Sequence, residues 1–408
     1  MNKCCCRISK QDDLIEVFDL GSHYMCGEFP SSISENIEKG RLALGWSPSS
    51  GLLQLSEDRD ITSMYGQNYG YRSGLNSSMV DHLRKKVEYL LELSNINNKK
   101  CVLDIGSNDG TLLSNYSNDL IRIGIDPTIV KYGKYYQENI IKLADFFSYD
   151  NFNKVSQGYK ADIITSISMF YDLPDPNLFV ANIREVMSPQ GIWNLEQSYM
   201  PSMLRTNSYD TVCHEHLEYY SLYVIKKLLE KNHLRILDVV FNRINGGSFS
   251  VTVCHQDSKY ESNMPIINWM LSQEERMNLN TPYPYREFER KAYTHRSDLQ
   301  GLIKAINCSD KKIAGYGAST KGNVILQFCQ LTSEEIYGIA EVNEDKFNKF
   351  TPGSNIPILS ETEIKSTHPD YMLVLPWHFR ENIIEREKEY LRKGGKLIFP
   401  LPEIEIVG

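Results

Sequence analysis

The chain has 408 residues, a formal net charge of −8, 41% hydrophobic residues and 24% charged ones. That length exceeds one ordinary domain, and the acidic excess excludes a nucleic-acid binder, whose phosphate partner demands a basic surface. No apolar run reaches a membrane span and the N-terminus lacks the apolar core of a signal peptide, so cytoplasmic residence is expected, as a monomer or homodimer with no membrane partner.

Taken in chain order, residues 1–75 read as irregular and turn-rich, punctuated by Phe18-Asp-Leu-Gly21 and Trp46-Ser-Pro-Ser-Ser-Gly51. Helical apolar spacing begins over Met79–Leu93. From Cys101 to Val253 short apolar runs alternate with helical stretches. Strands are predicted at Val102–Ile105, Arg122–Ile125, Ile163–Ile167, Gly191–Leu195, Leu234–Phe241 and Phe249–Val253, with helices such as Leu178–Met187 and Leu222–Glu230 between them. This rhythm signals βαβ units and a mainly parallel sheet. Residues 258–308 form a charged helical connector. A second series follows: strand Lys312–Tyr316, helix Gly322–Gln330, strands Ile336–Ala340 and Tyr371–Leu375, helix Asn382–Leu391 and strand Lys396–Phe399. Nine scattered cysteines, with no Cys-x-x-Cys pair, suggest reduced thiols and no metal site.

Val102-Leu-Asp-Ile-Gly-Ser-Asn-Asp-Gly-Thr-Leu112 reads as a strand, a glycine turn and a helix start. It lacks the Gly-x-Gly-x-x-Gly dinucleotide fingerprint. An acid, Asp104, ahead of Gly106 suits a cationic ligand better than a pyrophosphate, and the sulfonium and amino groups of S-adenosylmethionine fit. Ser107 and Asn108 belong to the same turn. Asp126-Pro127 ends the next strand, where a ribose diol is held by carboxylate oxygens. Asp145-Phe146 is placed to meet the adenine, and Ser168-Met169 follows the fourth strand at the binding crevice of an open sheet.

The stretch Thr211-Val-Cys-His-Glu-His-Leu-Glu-Tyr-Tyr-Ser221 concentrates groups that donate, accept or exchange protons. Such a cluster makes a poor core strand and an overly polar helix. It is either a solvated loop or a catalytic turn, and its place after a methyl-donor motif favours catalysis.

These motifs, together with Tyr69-Gly-Tyr-Arg-Ser-Gly74, Asn245-Gly-Gly-Ser248, Gly315-Tyr-Gly-Ala-Ser-Thr-Lys-Gly-Asn323 and Pro352-Gly353, make nearly the whole chain resemble the sugar C-methyltransferases. Members of that family methylate a ring carbon of nucleotide-linked keto-deoxysugars. The resemblance implies an α/β protein with a small zinc-binding N-terminal segment (1–75), a central class I methyltransferase domain with a Rossmann-like fold (76–257), and a C-terminal Rossmann-like α/β domain (258–408). It implies methylation at C-3 of a 4-keto sugar in deoxysugar or surface-glycan biosynthesis. The remaining alternatives are sugar O-methylation, an NAD-dependent nucleotide-sugar dehydrogenase or epimerase, and a non-catalytic scaffold or regulator that kept the methyltransferase fold.

Two departures stand out. Relatives carry two Cys-x-x-Cys pairs in the N-terminal segment; here they align with Cys6-Arg-Ile-Ser9 and Ser47-Pro-Ser-Ser50. Serine binds zinc poorly beside thiolate, so no zinc is expected, unless Cys4, Cys5 and Cys26 build another site. Some relatives also place a tyrosine where this chain has Cys213.

Carbon methylation needs an enolate, and His216 is assigned as the base that forms it. Glu215 orients His216 or is itself the base; His214 is catalytic or a structural hydrogen-bonding residue. Tyr71, with Tyr69 as alternate, donates to the developing oxyanion. The family motifs imply a nucleotide-diphosphate-sugar site made of Tyr69, Tyr71, Arg72, Tyr219, Tyr220, Asn245, Gly246, Tyr316, Ser319, Lys321 and Asn323. Ser319 and Lys321, at a helix N-terminus, suit a phosphate.

Overall fold

In the computed structural model, which describes residues 5–57, 70–94 and 100–408 apart from the side chain of Asn245, the chain builds three sheets. The first is antiparallel and joins β1 (Ile15–Tyr24), β2 (Lys39–Trp46) and β3 (Leu53–Leu55). Its fourth strand, β9 (Glu218–Tyr219), comes from far along the chain, with Leu53 opposite Tyr219 and Gln54 opposite Glu218. The segment expected to be irregular therefore carries three strands. Register breaks between Glu16 and Phe18, and again between Asp19 and Ser22, interrupt the alternation of burial that would have revealed β1.

The central sheet contains β4 (Cys101–Ile105), β5 (Ile121–Ile125), β6 (Ile141–Leu143), β7 (Ala161–Ile167), β8 (Met187–Ser198), β10 (Leu234–Asn242) and β11 (Ser248–His255). Their order is β10-β11-β8-β7-β4-β5-β6, and β11 runs antiparallel to both of its neighbours. From β4 the chain steps outward to β5 and β6, then returns to lay β7 on the other side of β4. The two halves diverge between β4 and β7, so a crevice opens past their carboxyl ends. Separate apolar clusters cover the two faces of this sheet.

The third sheet has order β14-β13-β12-β15-β16-β17. It contains β12 (Ile313–Tyr316), β13 (Ile339–Glu341), β14 (Ile358–Ser360), β15 (Tyr371–Val374), β16 (Lys396–Phe399) and the antiparallel edge strand β17 (Glu405–Val407). The connector forms two helices, Met264–Arg276 and Tyr283–Asn307. The second buries Tyr285, Phe288, Ala292, Leu299 and Ile303 along one stripe. Phe288 stacks on Phe18 of β1 with ring centroids 4.7 Å apart. One apolar cluster accordingly runs from the first sheet through this helix into the third, and takes in Met200, Tyr209, Cys213 and Leu217 as well. The helix expected at Asn382–Leu391 is two short ones, Arg380–Arg386 and Lys388–Arg392, which meet at the buried Glu387. No helix among the described residues is long and apolar enough to cross a membrane.

Candidate active site

A cleft of about 1390 Å³ opens at the carboxyl ends of β4, β5 and β7, and residues from all three parts of the chain line it. That volume exceeds what one drug-sized ligand fills, which leaves room for a cofactor and a second substrate together.

The cofactor turn forms one wall. Asp104, Gly106, Ser107, Asn108, Asp126, Pro127, Phe146, Ser168 and Met169 all line the cleft. Gly106 has φ +70°, a conformation that costs a side chain strain, and a Cβ there would press on Met169 at 3.1 Å. Burial pushes the Asp104 carboxyl up to about 7; the Thr165 hydroxyl, donating at 2.6 Å, opposes this and the nearby Asp126 charge adds to it. Asp126 accepts from Asn108 N–H at 2.8 Å and Thr128 N–H at 2.6 Å, which orients it and leaves lone pairs for a diol. Two buried carboxylates on one wall make a fitting cradle for a cationic ligand that carries a ribose.

Asn108 has a second duty. Its carboxamide accepts from Ser73 N–H at 2.9 Å and donates to Tyr71 O at 3.1 Å, while Asp109 accepts from Gly74 N–H at 2.9 Å. The loop that carries Tyr71 is thereby pinned to the cofactor turn. Tyr71 lines the cleft, 45% exposed. Tyr69 lies outside the described residues.

The opposite wall carries Cys213, Glu215 and His216. Nδ1 of His216 lies 2.8 Å from Thr211 O, which can only accept; Nδ1 therefore holds the proton and Nε2 keeps its lone pair. The ring lies 4.3 Å from that of Tyr171. Burial lowers the imidazole to about 4, the Lys321 charge adds to this, and the Thr211 carbonyl opposes it. His216 is neutral at pH 7, the form a base requires. Burial likewise raises the Glu215 carboxyl. Gly27 lies against that carboxylate: a Cβ there would overlap Oε1 and stand 3.7 Å from Thr320 Oγ.

Several expected residues lie off the wall. His214 is buried, with Nε2 3.2 Å from Gly40 O, so its role is to anchor the turn to β2. Asp145 is exposed and turns its carboxylate back to Phe146 N–H at 2.8 Å. Arg72 stacks over Tyr135 at 4.1 Å and pairs with Asp109 at 3.7 Å. Tyr220 is core, 5.2 Å from the Phe170 ring. Tyr219 donates to Thr211 O at 3.5 Å and borders a small cavity behind His216. Gly246 faces Trp377 of the C-terminal unit and does not line the cleft, and the side chain of Asn245 lies outside the described ones. Tyr316 donates to Glu387 at 3.1 Å, and Asn323 to Cys26 O at 2.7 Å. Ser319 and Lys321 do line the cleft, with Ser319 capping the helix Thr320–Phe328.

The sequence reading missed His378, Glu28, Lys131, Lys346 and Lys349, all on the wall. His378 follows β15 at the carboxyl edge of the third sheet, where the switch-point rule that flagged Ser168 applies equally. In the same sheet Glu341 ends β13 in the position of a ribose-binding acid. Its carboxylate instead accepts from Ala318, Val342 and Asn343 N–H at 2.7–2.9 Å, and the Gly317 turn closes against Pro376. Those contacts speak against a dinucleotide there.

Three family models match in succession: a zinc binding domain over residues 6–65, a methyltransferase domain over 76–239, and a C-methyltransferase C-terminal domain over 243–402. The chain is 28% identical to the C-methyltransferase NovU of Streptomyces niveus across 98% of its own length and 96% of that protein's. The chain carries these three domains in order, the last of them described as that of a C-methyltransferase. It is an S-adenosylmethionine-dependent methyltransferase with a central class I fold. Among solved structures, the N-methyltransferase NodS from Bradyrhizobium japonicum is 16% identical, with a TM-score of 0.32 over 43% of this chain and 96% of that one. Magnesium protoporphyrin IX methyltransferase from Synechocystis, solved with bound SAM, is 12% identical, with a TM-score of 0.32 over 43% of this chain and 79% of that one.

The segment matched by the zinc binding model does not fit zinc. Its four ligand positions converge: Ser50 Oγ lies 3.1 Å from Cys6 Sγ, Ser9 N–H donates to that sulfur at 3.4 Å, and Ser50 N–H donates to Ser47 Oγ at 3.4 Å. Ser47 Oγ in turn donates to Asp13 at 2.9 Å. One thiol and three hydroxyls are a poor donor set, and no group of three His, Cys, Asp or Glu among the described residues is placed to hold a metal. Cys26 lies elsewhere, beside Tyr24 and Gln327. Elemental analysis of the purified protein is expected to find no stoichiometric zinc, whereas a Ser9→Cys, Ser47→Cys, Ser50→Cys variant is expected to acquire it.

Proposed function

We propose that this methyltransferase forms a carbon–carbon bond on a nucleotide-diphosphate-linked 4-keto-deoxysugar, at the C-3 position beside the ketone, with His216 as the base. One observation carries the reading: an imidazole fixed as the neutral Nδ1–H tautomer shares a single cleft with the cofactor turn and with the Glu215 carboxylate. Ketone α-carbons need such a base and a dry, polarising site. Lys131, Lys346 and Lys349 in the same cleft support a diphosphate on the other substrate. The activity of NovU, named as a C-methyltransferase, supports chemistry at carbon.

The buried acids at the ends of β4 and β5 are the residues that hold the methyl donor. Bound there, S-adenosylmethionine supplies an electrophilic methyl group on a sulfonium. Incubation with methyl-labelled S-adenosylmethionine and a panel of nucleotide 4-keto-deoxysugars, read by mass spectrometry and NMR, tests the reading; label on oxygen alone would reject it.

Asp104 gives the cofactor step its own pH dependence. Its carboxyl titrates at about 7 and is uncharged below that, while a cationic ligand holds it ionised. Affinity for S-adenosylmethionine is therefore expected to be full above about pH 7 and to fall about tenfold per unit below it. Calorimetry across pH checks this, and Asp104→Asn should flatten the profile.

A further inference from the structure

A Cβ on Gly27 would overlap the Glu215 carboxylate and stand 3.7 Å from Thr320 Oγ1, so the turn before the helix Thr320–Phe328 lies close to the His-Glu-His turn. The next residue, Lys321, stands in the first turn of the helix Thr320–Phe328 and lines the cleft together with His216, Glu215 and His378. Burial lowers its ammonium, and the charges of Asp210 and Cys213 oppose this. Asp210 is fully buried and fixed by Trp377 Nε1 at 2.8 Å. The Lys321 charge also adds to the lowering of both His216 and His378. The lysine is thus electrostatically in touch with the assigned base and with a second imidazole, while Asp210 opposes the lowering of its own ammonium.

We propose that Lys321 is a catalytic residue whose ammonium receives the negative charge developing on the substrate's carbonyl oxygen while His216 removes the neighbouring proton. The inference rests on the keto-sugar reading above. In the step, the α-carbon–hydrogen bond breaks and its electron pair becomes the carbon–carbon double bond. The carbonyl π pair moves onto oxygen beside the ammonium, and the proton goes to Nε2 of His216. Nothing is oxidised or reduced, and no further reactant is needed.

Two comparisons favour this role. Tyr71, the donor expected from sequence, stands on a loop tied to the cofactor turn, and its charged neighbour is Asp109 rather than any group around His216. A phosphate is the other ligand Lys321 could take, but a buried Asp210 beside it would repel a dianion. A neutral ketone meets no such penalty at the outset and gains the ammonium as charge builds. The weak basicity of a buried His216 makes that gain necessary.

The test is hydrogen exchange at the carbon beside the ketone. Wild-type enzyme, Lys321→Met and Lys321→Arg are incubated in deuterated water, without methyl donor. The probe is whichever thymidine- or uridine-diphosphate 4-keto-6-deoxyhexose binds wild type most tightly by calorimetry. Lys321→Met is expected to slow exchange at saturation about 10²–10³-fold with sugar affinity unchanged, and Lys321→Arg to recover part of the loss. S-Adenosylmethionine affinity reports whether each variant is folded, and Lys321→Gln serves if the methionine variant is not. Exchange at the wild-type rate in the variant, or lost sugar affinity with exchange intact, overturns this proposal alone. No exchange by wild type on a bound keto-sugar overturns the carbon-chemistry reading, and the role of Lys321 with it.

Discussion

Replacing His216 by asparagine is expected to leave cofactor and sugar bound while turnover falls about 10²–10⁴-fold. Asparagine can still donate toward Thr211 O, so the turn keeps its 2.8 Å tether while the acceptor nitrogen is lost. Binding of both substrates by calorimetry, set beside single-turnover rates, separates the two effects. Glu215→Gln divides the labour. If the carboxylate only orients the imidazole, its loss costs less than that of His216; an equal or greater loss moves the base to Glu215. The pH profile gives a second check. With the imidazole at about 4, kcat at saturating methyl donor should hold constant through neutrality and fall only in acid, whereas the cofactor KM already rises below about pH 7.

Asp126→Ala is expected to weaken S-adenosylmethionine binding by about 1.5–3 kcal/mol, roughly 10- to 150-fold. Part of that loss is the charged hydrogen bond to the ribose diol. The rest comes from the turn, because the same carboxylate accepts from Asn108 and Thr128 N–H. Asp126→Asn keeps one acceptor oxygen and should fall between the two. Unchanged calorimetric affinity in a folded Asp126→Ala protein would remove Asp126 from the cofactor site.

The parts of this molecule that follow a local rule were legible in the sequence. The turn after β4, the acid ending β5 and the Ser168-Met169 corner obey strand periodicity and the switch-point geometry of an open sheet, and the structure brings them to one wall. What depends on long-range docking was not. Register breaks hid β1, and β9 is two residues whose pairing partners lie far earlier in the chain. His378 and the lysines after β13 reach the cleft only because the third sheet shares an apolar core with the first. Motif membership alone does not tell which polar side chains bond within the protein: Tyr316 bonds to Glu387, Asn323 to Cys26 O and His214 to Gly40 O.

The borrowed strand β9 bears on how such a protein can be recombined. Glu218 and Tyr219 close the first sheet, and Arg7 reaches across to Leu217 O at 3.3 Å and to Glu218 at 3.5 Å. The His-Glu-His turn is therefore moored at its far end by the first fifty-odd residues. A chimera that exchanges only the N-terminal segment, or only the central one, splits a sheet across two parents. Donor segments for this enzyme have to be inherited as a matched set, because the sheet they share closes only when both come from one parent.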